Sequence, residues 1–88
     1  MITEYNNTQE LVDVYEKYWI PYKLINLGLS ESGAEINAVI DKKSNKLYIE
    51  QYNTILDRKT VHAFEIGDYP TTWMFEEDNP TVTTVSFD

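Results

Sequence analysis

The chain has 88 residues, 42% of them hydrophobic and 14% aromatic, with three Gly and three Pro, a size for one core and a composition too apolar and regular for intrinsic disorder. Fifteen acidic against seven basic side chains give a net charge of -8, which disfavours direct binding to nucleic acid, whose phosphates call for Lys and Arg. The absence of Cys excludes disulfides, thiolate metal sites and thiol catalysis.

The segment Met1 to Asn7 has neither the basic start nor the apolar centre of a signal peptide, and no apolar run approaches the ~20 residues needed to cross a bilayer. The expectation is a single cytoplasmic domain over residues 1–88 with no membrane contact. Asn7, followed three residues later by Glu10, reads as a helix N-terminus of the capping-box kind. Leu11, Val14 or Tyr15, Tyr18 and Trp19 then recur at helical spacing, with Glu10, Asp13, Glu16 and Lys17 on the other side. Pro21 should stop the helix close to Trp19. The spacing makes several of Tyr15, Tyr18, Trp19 and Tyr22 the core stripe of this helix, with tips that can reach water, rather than a ligand platform.

Residues 22–29 fit neither period cleanly, and their position favours a strand, with a second short helix as the alternative. Ser30 to Gly33 is a turn. From Glu35 to Tyr52 comes the clearest hairpin signal: Ile36, Ala38 and Ile40 alternate with Asn37, Val39 and Asp41, and Leu47, Ile49 and Gln51 alternate with Tyr48, Glu50 and Tyr52. Lys42 to Asn45 supplies the reversal, and Lys42, Lys43 and Lys46 at its tip read as edge protection. A polar connection runs from Asn53 to Lys59, a strand from Thr60 to Ile66, and a break from Gly67 to Pro70. Thr71 to Phe75 is extended, Glu76 to Pro80 forms an acidic turn, and Thr81 to Phe87 is a terminal strand. The fold class is therefore α+β, one N-terminal amphipathic helix packed on a mainly antiparallel four- to five-stranded meander.

Chemistry is sparse in this sequence. His62 is the lone histidine, without carboxylates at metal-ligand spacing, so a strand residue is the simpler reading than a catalytic one. Glu76, Glu77 and Asp78 lack the alternating ligands of a calcium loop. No phosphate loop or activated nucleophile is present, so neither a metal, a cofactor nor enzymatic activity is expected. Charge is more informative: no Lys or Arg follows Lys59, whereas Glu65, Asp68, Glu76, Glu77 and Asp78 do. With Trp73 and Phe75 as anchors, these residues form the expected partner-binding surface.

The resulting expectation is a small acidic protein-binding module or inhibitor that engages a basic protein. In its narrowest form it is a nucleic-acid mimic of the phage, mobile-element or immunity-protein type, presenting carboxylates where phosphates would lie on a nucleic-acid-binding protein. One alternative is a structural or regulatory module that forms homo-oligomers through Thr81 to Phe87. Another is a small metal-dependent enzyme using His62.

Overall fold

The computed structural model describes residues 5–69, 72–76, 79–82, 85 and 87. Helix α1 covers Thr8–Lys17. The Asn7 side chain accepts the Glu10 N–H at 3.0 Å, and the Glu10 carboxylate reaches back to the N–H of Asn6, also at 3.0 Å. One orphan donor of the first turn is thus satisfied, and the N–H just before the cap is tied to the same turn.

The ambiguous segment is a strand, β1 (Lys23–Leu29), paired antiparallel with β2 (Glu35–Asp41) across a bulge at Asn26 to Gly28. Gly28 there has φ 107°, a conformation that favours a residue without Cβ. β2 pairs with β3 (Lys46–Asn53), and β3 pairs with β4 (Arg58–Glu65), both antiparallel. These four strands form the meander, so the class is α+β with one helix on an antiparallel sheet.

A 3₁₀ turn, Ile66–Asp68, then leads away from the meander. β5 (Thr72–Glu76) does not continue it beside β4 but joins β3 in parallel at Tyr52 and Glu76. β2 and β3 part beyond the Ala38 and Ile49 pair, where the Asn37 N–H donates to the Glu50 carboxylate at 2.7 Å. β5 takes up the vacated edge. β6 (Asn79–Val82) returns antiparallel along β5, so the last strand starts inside the expected acidic turn rather than at Thr81.

Register sorts the side chains into two cores. Ile25, Ala38, Ile49 and His62 form one cross-strand row, beside a row containing Ile40, Leu47 and Phe64. Ile66, Tyr69, Trp73, Val85 and Phe87 cover this face. Leu24, Val39, Tyr48 and Ala63 form a row on the opposite face, where Leu11, Val12 and Tyr15 of α1 pack on Val39 and Tyr48. The sheet is therefore covered on both sides. That is why Val39 and Asp41, expected on a polar face, are buried.

The helix stripe is narrower than expected. Leu11, Val12 and Tyr15 are buried, but Tyr18 is 62% and Trp19 92% exposed. Regular helix ends at Lys17, so spacing no longer directs these two rings to the core. The expectation that they form part of the core stripe is corrected accordingly.

Candidate protein-binding surface

The residues expected to contact a partner fall into three groups. Glu65 and Asp68 are exposed near the end of β4, and Glu65 forms an ion pair with Lys46. The Lys46 hydrogen bond holds the Glu65 carboxyl below its usual range, against a smaller opposing effect of desolvation. Phe75 and Glu76 are buried and Trp73 is half-buried. Trp73 meets His62 and Phe64 edge-on, with ring centroids 5.3 and 5.0 Å away, and among the described residues its buried Nε1–H has no hydrogen-bond partner. Phe75 is 8% and Glu76 5% exposed, and Glu76 accepts from both the N–H and the hydroxyl of Ser32. As placed, Phe75 and Glu76 are packing residues rather than surface contacts: both are buried on a strand that joins the sheet beside β3. Glu77 and Asp78 lie outside the described residues.

His62 sits on the face opposite Glu50, since His62 pairs with Ile49 and Glu50 with Val61. Burial pushes the His62 imidazole below its ordinary pKa, and its Nε2 lies 3.3 Å from the Thr60 hydroxyl. Glu50 is 1% exposed and accepts from the Thr8 N–H at 2.8 Å, the Thr8 hydroxyl at 2.9 Å and the Asn37 N–H at 2.7 Å. Lys59 Nζ stands 3.5 Å away. A buried carboxylate with four such neighbours serves as an anchor. It borders a cleft of about 670 Å³ between the start of α1 and the β3–β4 turn, which Asn7, Leu24, Arg58 and Lys59 also line. Among the described residues, no group of three or more His, Asp or Glu could hold a metal ion, and no helix is long and apolar enough to cross a membrane.

The exposed aromatic and acidic groups meet at the other end of α1. Glu10, Asp13 and Glu16 are all exposed and recur every three residues, forming an acidic row along the helix. The row ends in a Schellman turn. The Ile20 N–H donates to the Tyr15 carbonyl at 2.8 Å and the Trp19 N–H to the Glu16 carbonyl at 3.2 Å, with Tyr18 as the C-cap. This motif requires a left-handed residue next, usually Gly, and Trp19 fills the position with φ 58°. Ile20 turns back onto the core formed by Leu11, Val12 and Tyr15, so the chain exit is fixed and the indole stands outside it.

Beside the indole is a groove of about 480 Å³ lined by Tyr15, Glu16, Trp19, Ile20, Pro21 and Tyr22. The rings of Tyr15 and Tyr22 meet edge-on at 6.1 Å. The Tyr22 hydroxyl donates to Glu16 Oε1 at 2.7 Å, which fixes the carboxylate at the groove wall. That bond, followed by burial and the charges of Glu16 and Asp13, raises the Tyr22 phenol above its ordinary pKa. Tyr22 therefore remains a donor at neutral pH. Lys17 places its ammonium 5.5 Å from the centroid of the Tyr18 ring, so a cation already rests on an aromatic face at this end of the helix.

The sequence held a partial signal for this surface: Pro21 ends the helix, so Tyr22 beyond it cannot belong to the same helical stripe. No family model matches the chain, and no curated protein or solved structure is significantly similar to it.

Proposed function

We propose that this chain is a small protein-binding module whose partner presents a basic surface. The observation that supports this reading is the position of Trp19, 92% exposed at the end of the acidic row Glu10, Asp13 and Glu16. Exposed carboxylates steer a basic partner and set its orientation, while an aromatic anchor supplies the apolar contact that charge alone does not provide. Glu65 and Asp68 add acidity elsewhere on the surface. The narrowest form of the proposal is an inhibitor, of the phage or mobile-element kind, that occupies a nucleic-acid-binding surface with carboxylates standing in for phosphates.

The test is capture from a nuclease-treated lysate at low and high salt, using the native chain, a Glu10→Gln/Asp13→Asn/Glu16→Gln triple variant and Trp19→Ala. A basic protein retained at low salt and lost with the triple variant is the expected result, since exposed charge interactions are screened. Capture indifferent to salt and to both variants overturns the proposal. A partner that holds this chain and an oligonucleotide at the same time removes the nucleic-acid-mimic form.

A further inference from the structure

The groove at the end of α1 has the chemistry of a cation site. It is lined by Tyr15, Glu16, Trp19 and Tyr22, with the Glu16 carboxylate held by the Tyr22 hydroxyl. Asp13 is near enough for its charge to act on the Tyr22 phenol. The carboxyl end of α1, ten residues long, opens beside it, and a helix C-terminus favours positive charge. An apolar occupant would desolvate Glu16 without compensation. A cation compensates the carboxylate and gains from the ring faces. Lys17 does not line the groove and rests over Tyr18 instead.

Among cations, a guanidinium suits an open groove lined by an exposed indole. It is planar, stacks on aromatic rings, is more weakly hydrated than an ammonium and pairs with a carboxylate through a fork of donors. We infer that the groove formed by Tyr15, Glu16, Trp19 and Tyr22 binds an arginine side chain of a basic peptide segment, the guanidinium lying against Trp19 and hydrogen-bonded to Glu16. The inference rests on the basic-partner reading and specifies the residue that this partner inserts.

The experiment is ¹⁹F NMR of the full chain carrying 5-fluorotryptophan, with the two tryptophan resonances assigned through Trp73→Phe. The probes are blocked peptides with a central Arg flanked by Lys, and the same peptides with citrulline or Lys at the centre. The Arg peptide should shift the Trp19 resonance saturably and leave that of Trp73 in place. Citrulline at the centre, or Glu16→Gln in the protein, should weaken binding roughly tenfold, the scale of a desolvated cation–aromatic contact.

Equal binding of the citrulline peptide overturns the cation site, and equal binding of the Lys peptide overturns the choice of arginine. Calorimetry separates the two proposals. Binding unchanged in Trp19→Ala but lost in the Glu10→Gln/Asp13→Asn/Glu16→Gln variant removes the groove and leaves the acidic surface standing. No saturable binding by any peptide removes the arginine site, while the basic-partner reading is decided by lysate capture.

Discussion

At Trp19 the fold accepts local strain and exposure together. A left-handed backbone at a residue with a Cβ costs about 1 to 2 kcal/mol, and an indole with 92% of its surface in water recovers little of this by packing. Glycine is the residue this turn normally uses. Trp19→Gly should therefore stabilise the domain by about 1 kcal/mol, raising Tm by about 4 to 8 °C for a domain of this size, while reducing partner capture. A thermal melt and the capture experiment read the two effects. A lower Tm would show that the indole contributes packing that its exposure hides. The cap at Asn7 was legible because its hydrogen bond is local; the exposure of Trp19 was not, because helical spacing continues past the point where the helix ends.

Among the elements, the β2–β3 hairpin was the most legible, since alternation and a polar turn are local signals that the register bears out. The arm containing β5 was the least. Glu76 resembles the start of a solvated acidic turn, yet its carboxylate is held by Ser32, 44 residues away, and nothing near Glu76 announces that contact. The same limit applied to Glu50, which reads as an outward strand residue but anchors α1 to β2 and β3. Glu50→Gln would place an amide against donors that a carboxylate satisfies. The expected loss is about 3 kcal/mol, a large part of the total of on the order of 4 to 13 kcal/mol for a chain of this length. Urea unfolding should show a lower midpoint with an unchanged m-value. A loss under about 0.5 kcal/mol, the size of an ordinary surface substitution, would contradict the anchoring role.

For the whole molecule, half-buried His62 and buried Asp41 both contribute to the response to acid. His62 has its pKa lowered from an ordinary 6.5 by burial, so as pH falls below 6.5 the unfolded chain takes up the proton first and stability declines until the folded value is passed. Asp41 acts lower on the scale. Burial raises its pKa, but hydrogen bonds from Ser44 and Tyr15 outweigh burial and leave it below 3.8. Its contribution, present above 3.8, is lost as pH falls through the folded value. Unfolding free energies at pH 7.5 and 5 should thus fall more in the native chain than in His62→Phe, and the comparison cancels the changing self-repulsion of a chain with net charge -8. Equal losses would remove His62 from the account. The Glu50 anchor also bears on the order of events. Thr8 precedes its acceptor by 42 positions, so α1 leaves the ribosome before the side chain that receives its first N–H has been synthesised. Because isolated helices this short are marginal in water, the native helix must wait for β3, so the first described element of the chain is secured only after three strands have followed it.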